Sequence, residues 1–243
     1  MPQTDPSAAL VLFSGGQDST TCLAWALDRY KRVETIGFNY AQKHSAELLA
    51  RKPLRERIVD VVPSWRARLG PDHLIDLTIL SQIAKSALVD ETPFGSREDG
   101  LPSTFVPGRN LLFLTFAAIT AEQRGVKVLV TGTCETDFSG YPDCRDDTIK
   151  ALQVTLNLGM QSRLVIETPL MWIDKAATWC LASQLGGTNL VDLIVELTHT
   201  CYLNDREHRQ PWGFGCSNCD ACKLRAQGWE RYVASRVVAP LAS

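Results

Sequence analysis

The sequence predicts an α/β fold: an open parallel sheet with helices on both faces, followed by a C-terminal metal-binding module. Three observations carry this expectation. Apolar and β-branched runs alternate with helical patterns over residues 8–195. The apolar run Leu10-Val11-Leu12-Phe13 passes through Ser14-Gly15-Gly16-Gln17-Asp18-Ser19 straight into an apolar helical pattern, the order of strand, tight turn and helix start. Four of the eight cysteines, Cys201, Cys216, Cys219 and Cys222, fall in the last fifth of the 243 residues.

Residues 8–13 read as a buried strand and 20–30 as a short helix rich in Leu, Ala and Trp. Residues 33–40 (VETIGFNY) alternate and are rich in β-branched and aromatic types, so they read as a second strand. Residues 45–69 read as mainly helical, with Pro53 expected to kink or split the helix. Residues 72–78 predict a third strand. The segment 90–108 holds three prolines and three glycines and predicts a long loop of the kind that is often functional. Residues 109–124 predict the most apolar helix, buried on most faces, and 126–131 a fourth strand. Residues 147–159 have helical spacing, and 164–167 form a short strand candidate. Residues 174–184 predict an amphipathic helix ended by Gly186-Gly187. A last helix is expected from near Asp220 through Arg231. The expected division is an α/β domain over 1–195 and a metal-binding segment with a final helix over 196–243.

Composition sets bounds on function. Hydrophobic residues make up 45% and charged residues 21%, the balance of a soluble globular chain. Twenty-five basic residues against 27 acidic ones leave a net charge of −2, which argues against a broad electrostatic footprint for nucleic acid. No apolar run is long enough for a transmembrane helix, and residues 1–9 lack the pattern of a secretory signal. The expected compartment is a reducing one, where clustered cysteines read as metal ligands rather than disulfides.

Four constellations carry chemistry. The Ser-Gly-Gly turn brings flexible backbone, small hydroxyls at Ser14, Ser19 and Thr20, and helix N-terminal N–H groups to one point, which suits a phosphate group. No Gly-Lys-Ser/Thr follows the glycines, so this is not a Walker loop; a lysine-free turn can cradle pyrophosphate, with Asp18 holding Mg²⁺ or fixing the loop. The Cys-x-x-Cys-x-x-Cys run at 216–222 with Cys201 offers four thiolates to one Zn²⁺, a closed structural site. An iron–sulfur cluster is its rival, and His199 or His208 offers a substitute ligand. Residues 131–145 (TGTCETDFSGYPDCR) follow a strand, as do the Ser-Gly-Gly loop and Tyr40-Ala41-Gln42-Lys43-His44, so the three should meet on one rim of the sheet. There Asp137 or Asp143 can accept from a guanine-like edge, Phe138 or Tyr141 can stack on a base, and Arg145 can pair with a carboxylate. Arg109, opening a helix in Pro107-Gly108-Arg109-Asn110, is a clamp for phosphate or carboxylate. His44 is a candidate acid or base. Cys134 and Cys144 flank the same rim without a visible paired base.

The turn Ser14-Gly15-Gly16-Gln17-Asp18-Ser19 resembles the signature of the PP-loop ATP pyrophosphatases, which cleave ATP between the α and β phosphates. With YAQKH at 40–44, VPGRN at 106–110, ETDFSGYPDCR at 135–145 and the tail THTCY…GCSNCDACKLRAQG, nearly the whole chain resembles the 7-cyano-7-deazaguanine synthase (QueC) family. The family more often has Arg where Lys43 stands, and the gap between Cys201 and Cys216 is longer than in its shorter members. The resemblance implies a Rossmann-like (adenine nucleotide alpha hydrolase-like) sheet. It implies a carbon–nitrogen ligase of queuosine biosynthesis that turns 7-carboxy-7-deazaguanine and ammonium into the nitrile through adenylated acid and amide. ATP would bind along Phe13, Ser14, Gly15, Gly16, Gln17, Asp18, Ser19, Thr20, Thr21, Cys22 and Leu23. Substrate would meet Tyr40, Gln42, Arg109, Asn110, Asp137, Tyr141, Asp143 and Arg145, and catalysis would fall to Asp18, Ser19, Lys43, His44 and Arg109. Mg²⁺ and one structural Zn²⁺ per chain are implied, with small-molecule substrates, no direct nucleic-acid partner, no membrane, a cytoplasmic location and a homodimer. The rivals are a PP-loop tRNA-modifying enzyme, a conjugating enzyme that passes the deazaguanine acid to a protein amine, and a zinc-stabilised nucleotide-binding module without catalysis.

Overall fold

A computed structural model describes residues 5–40, 46–83, 86–88, 95, 97–136 and 140–238. The strands β1 (Asp5–Leu12), β2 (Arg32–Asn39), β3 (Leu69–Asp76), β4 (Val126–Val130) and β5 (Val165–Glu167) form one parallel sheet in the order β3-β2-β1-β4-β5. The helices are α1 (Gln17–Arg29), α2 (Ala46–Val61), α3 (Leu80–Ile83), α4 (Arg109–Gln123), α5 (Asp146–Gly159), α6 (Lys175–Leu197) and α7 (Asp220–Val238). A hairpin of β6 (Arg209–Gln210) and β7 (Gly213–Phe214) lies between α6 and α7. The chain runs from β1 outward to β3, then returns to the other side of β1 with β4. That reversal places a crevice at the carboxyl ends of β1 and β4, where ligands bind in such sheets.

Strand alternation splits the core by face. Ala9 and Val11 of β1 pack with α1, α2 and α6, while Ala8 and Leu10 pack with α4 and α5. The first face continues without a break into the tail, where Cys201, Trp212, Cys222 and Tyr232 join the same cluster. Arg225 ties the tail down. Fully buried, it donates to the carbonyls of Trp212 (3.0 Å) and Ile194 (3.1 Å) and to Thr200 Oγ1 (2.8 Å), between the rings of Trp179 and Trp212.

Several elements depart from expectation. α1 starts at Gln17 rather than residue 20, with Gly16 as N-cap, so Asp18 and Ser19 stand in its first turn. Pro53 sits inside α2 without splitting it. β3 starts at Leu69, and Pro71 is tolerated because β3 is an edge strand. α4 buries one face only, through Leu114, Ala117, Ala118 and Ala121, and leaves Leu112 and Ile119 exposed. Gly186-Gly187 kinks α6 rather than ending it. The helix resumes to Leu197, because the bend lets Gly186 lie where a Cβ would be 2.8 Å from Val61 Cγ1 of α2. α7 continues to Val238. In the expected loop over 90–108, residues 90–94 and 96 lie outside the described residues; the described part holds no helix before Arg109.

Glu34 on β2 is fully buried and gathers the opposite end of the sheet. It accepts from Arg124 Nε (2.9 Å) and Nη2 (3.1 Å), Arg32 Nη1 (2.5 Å) and His73 Nε2 (2.7 Å). Burial alone would push its carboxyl up, but hydrogen bonds from Arg124 and His73 bring it below the ordinary glutamate value. A lowered folded pKa contributes stability above the unfolded value and loses it as pH falls through the folded one. Glu34→Gln is therefore expected to cost about 3 kcal/mol at neutral pH. The gap to wild type should close below about pH 4, as urea unfolding at the two pH values will measure.

Candidate active site

The crevice at the switch point holds a cavity of about 370 Å³. Its walls come from the ends of β1, β2 and β4, the starts of α1, α2, α4 and α6, and the segment after α6. The Ser-Gly-Gly turn forms one wall. Gly15 takes φ of 97°, and a Cβ there would stand 2.4 Å from the Glu47 carbonyl oxygen, so both backbone freedom and space require glycine. Gly15 N–H donates to Ser19 Oγ (3.2 Å), Gly16 N–H donates to Ser14 Oγ (3.2 Å), and the two hydroxyls lie 3.1 Å apart. Backbone donors and small hydroxyls thus converge at the N-terminus of α1, an arrangement made for phosphate oxygens.

The charge that the loop lacks comes from far along the chain. Lys175 Nζ, at the start of α6, donates to Asp18 Oδ2 at 2.5 Å, and both side chains line the cavity. Asp174 caps the same helix by accepting from the Ala177 N–H (2.8 Å), which fixes where Lys175 starts. Asp18 Oδ1 is buried and accepts no hydrogen bond among the described residues. A carboxylate oxygen left open in a phosphate-binding turn fits a hard cation such as Mg²⁺. Gly132, after β4, backs Asp18 closely: a Cβ there would be 3.2 Å from Asp18 Cβ.

The opposite wall is aromatic and cationic. Gly108, with φ of 75°, starts α4, and Arg109 projects to Tyr40, donating to its hydroxyl at 3.4 Å, with Tyr141 on its other side. Burial works against the guanidinium charge, but Tyr40, Tyr141 and Asp143 hold it firmly cationic. Asp143 is buried and accepts from the Asn110 N–H (3.1 Å) and Nδ2 (3.2 Å), so it orients Asn110 rather than facing the cavity. Tyr141 is fixed by a 2.5 Å bond between its hydroxyl and Thr104 Oγ1. Phe38 and Phe113 stack at 4.3 Å and add an apolar surface.

The structure brings Phe13, Ser14, Asp18, Ser19, Tyr40, Arg109, Asn110 and Tyr141 to one cavity. Gln17, Thr20, Thr21, Cys22 and Leu23 are buried in α1 behind it, with the Thr20 and Thr21 hydroxyls donating to the carbonyls of Gly16 and Gln17. Arg145 is exposed and stands at the N-cap of α5, away from the cavity lining. Gln42, Lys43, His44, Asp137 and Phe138 lie outside the described residues. Glu47 and Lys175 are polar cavity residues that the sequence did not single out, and His199, a candidate metal ligand by sequence, lines the cavity as well. The signal for Lys175 was its place after β5, another strand end on the same rim.

The four cysteine sulfurs of Cys201, Cys216, Cys219 and Cys222 lie within 4.8 Å of one another. Four thiolates at a Zn–S distance of about 2.3 Å would have S···S edges of about 3.8 Å. Cys216 and Cys222 are already 3.9 Å apart. The N–H groups of Asn218 and Cys219 point at Cys216 Sγ (3.4 and 3.3 Å), as donors to a ligating thiolate do. No histidine joins this group among the described residues; His208 is bonded to Asp205 instead. The donor set fits zinc. Cys201 also lines the cavity.

A family model described as "Queuosine biosynthesis protein QueC" matches residues 8–233. The chain belongs to the QueC family. Among similar curated proteins are three 7-cyano-7-deazaguanine synthases. The one from Azorhizobium caulinodans is 63% identical over 231 residues, covering 95% of this chain and 96% of that one. The one from a Polaromonas species is 62% identical over 229 residues (94% and 97%), and the one from Gluconobacter oxydans is 60% identical over 230 residues (95% of each). QueC membership agrees with the resemblance carried by the loop, middle and tail motifs. No helix among the described residues is long and apolar enough to cross a membrane.

The four-thiolate geometry predicts that Cys219→Ala will purify without bound zinc by elemental analysis. It should also lose about 3 kcal/mol or more of stability in chemical denaturation. Full zinc loading at wild-type stability would contradict the ligand assignment.

Proposed function

We propose that this chain converts 7-carboxy-7-deazaguanine and ammonia to 7-cyano-7-deazaguanine by two successive adenylations at one site. The observation that carries the reading is the single cavity in which the PP-loop and the Asp18–Lys175 pair face Arg109, Asn110, Tyr40 and Tyr141. A carboxylate resists ammonia because its leaving group would be oxide. Transfer of AMP to that oxygen gives a mixed anhydride, and ammonia then gives the amide. A second AMP on the amide oxygen allows loss of AMP and formation of the nitrile. Both transfers go to an oxygen on the same carbon, so one set of residues serves both.

The roles follow from position. The Gly15 and Gly16 N–H groups with Ser14 and Ser19 bind the phosphates, and Lys175 supplies the positive charge that a Walker loop carries on itself. Asp18 would hold Mg²⁺, which when bound neutralises phosphate charge as pyrophosphate departs. Arg109 pairs with the substrate carboxylate, and Tyr40, Tyr141 and Asn110 orient the deazaguanine. Lys43 and His44, from the 40–44 motif, are proposed to take part in catalysis, and Asp137 and Gln42 to complete the substrate contacts. One zinc per chain, held by the four cysteines, is structural, and the segment 196–243 acts as the module that carries it. We assign the activity to the cytoplasm and to small-molecule substrates rather than nucleic acid. The protein is proposed to be a homodimer, because α4 presents Leu112 and Ile119 and α5 presents Val154 and Leu158 to solvent at helical spacing.

Mass spectrometry of products from ATP, ammonium and the 7-carboxy acid tests the reading. The nitrile should form with AMP released. Acid attached to a protein lysine, or AMP without nitrile, would overturn it. Asp18→Ala and Lys175→Met should each lower turnover about 10²–10³-fold with the fold retained by circular dichroism. Leu158→Glu should shift the mass by light scattering from two chains to one.

A further inference from the structure

We propose that Glu47 forms the ammonium subsite of this cavity and accepts the proton from the attacking nitrogen. The proposal rests on the adenylating reaction proposed above and adds the residue that delivers its nucleophile.

Position is the first argument. Glu47 stands in the first turn of α2 and lines the cavity with Asp18, Ser19 and Arg109. That turn is pressed on the PP-loop: a Cβ on Gly15 would lie 2.4 Å from the Glu47 carbonyl oxygen, and one on Gly16 would lie 3.3 Å from Glu47 Oε1. The carboxylate is therefore fixed beside the backbone donors that hold phosphate, where an acyl adenylate would have its reacting carbon close by.

Elimination is the second. Among the described residues, three carboxylates stand in or next to this cavity. Asp18 gives one oxygen to Lys175, and Asp143 gives both oxygens to Asn110. Glu47 lines the cavity directly, and among the described residues the cation that acts on it is Arg109 across that space, which places its carboxylate where a cationic nucleophile would enter.

Electrostatics is the third. Among the described residues, Asp18 from α1, Tyr40 after β2 and Arg109 from α4 act on Glu47, and Lys175, His199, Cys134, Tyr141, Cys144, Cys201 and Tyr202 are the other titratable groups lining the same cavity. Burial pushes the Glu47 carboxyl up to about 7; Arg109 opposes that and Asp18 adds to it. A base titrating near the working pH both takes and returns a proton readily.

The step balances. Ammonium passes one proton to the Glu47 carboxylate. The freed lone pair forms the C–N bond to the acyl carbon. The C–O bond to AMP then breaks, AMP leaves with the bonding pair, and a second nitrogen proton goes to water. Glu47 then returns its proton to water, and in the second round it takes one N–H proton of the O-adenylated amide while water takes the other, as the C–O bond to AMP breaks with the pair leaving on AMP and the nitrile forms.

Glu47→Gln separates the outcomes. With the 7-carboxy acid and ATP but no ammonium, exchange of labelled pyrophosphate into ATP should persist, which also shows that the variant folds. Ammonium-dependent amide and nitrile formation at neutral pH should fall about 10²–10⁴-fold. Raising the pH until ammonia is the free base should narrow that loss. Hydroxylamine, a weaker base that is uncharged at neutral pH, should form the hydroxamate at near wild-type rate, and Glu47→Asp should recover part of the ammonium reaction. A Glu47→Gln enzyme that uses ammonium like wild type overturns the proposal. So does one that loses pyrophosphate exchange along with amidation, since Glu47 would then serve ATP. If wild type itself makes no product from ammonium, the proposed function fails instead.

Discussion

The close approach at Gly15 is the constraint on which the site depends. The backbone of α2 comes to the PP-loop at Glu47, and from the other side the His199 N–H donates to the Gly15 carbonyl at 3.4 Å. The loop is thus clasped between an element early in the chain and the segment that leads to the four clustered cysteines. Lys175 closes the third side by bonding Asp18. A side chain at Gly15 would push α2 away and with it Glu47. The Ser-Gly-Gly turn, the Glu47 carboxylate and the cavity wall therefore share one steric requirement, that position 15 carries no Cβ.

Lys175 and Arg225 show two ways of using a cation beneath and within one site. Lys175 sits in the cavity and spends its charge on Asp18, which keeps one oxygen engaged and leaves Oδ1 open. Arg225 is fully buried, sandwiched by two tryptophans, and bonds two carbonyls and a hydroxyl. Burial lowers its pKa to about 10, which still leaves it cationic at neutral pH. Its hydrogen bonds join the end of α6, the β6–β7 turn and α7. That junction holds Thr200 and Cys201 against the cavity, so the four-cysteine cluster and the cavity share a wall.

Much of this was legible in the sequence because the motifs are local. The strand–turn–helix pattern at residues 8–30, the alternation of strands and helices along the chain and the cysteine spacing all depend on neighbours a few residues apart. The misses have a common physical cause. Lys175 and Glu47 become site residues only through packing between distant elements, and neither belongs to a short motif on its own. The first turn of α1 was placed three residues late because Gly16-Gln17-Asp18 reads as turn chemistry, whereas the dipole-compatible Asp18 belongs inside the helix. The Gly186-Gly187 pair read as a helix end since glycine usually stops helices; only the crowding of Val61 and Leu190 shows why a bend there is useful. Arg145, chosen for its charge, faces solvent, which charge alone could not reveal.

The reach of the Lys175–Asp18 pair has a consequence for synthesis. Its partners are 157 positions apart, and Cys201, Ala221 and Leu224 also line the cavity. A chain emerging from the ribosome forms β1 and its loop first, yet cannot enclose a nucleotide until almost the last helix has been made. The parallel sheet delays matters further, since each strand waits for a crossover before it can pair. An incomplete chain therefore displays the signature loop without the chamber that gives it meaning. The enclosed chamber therefore completes late in synthesis, once α7 is in place.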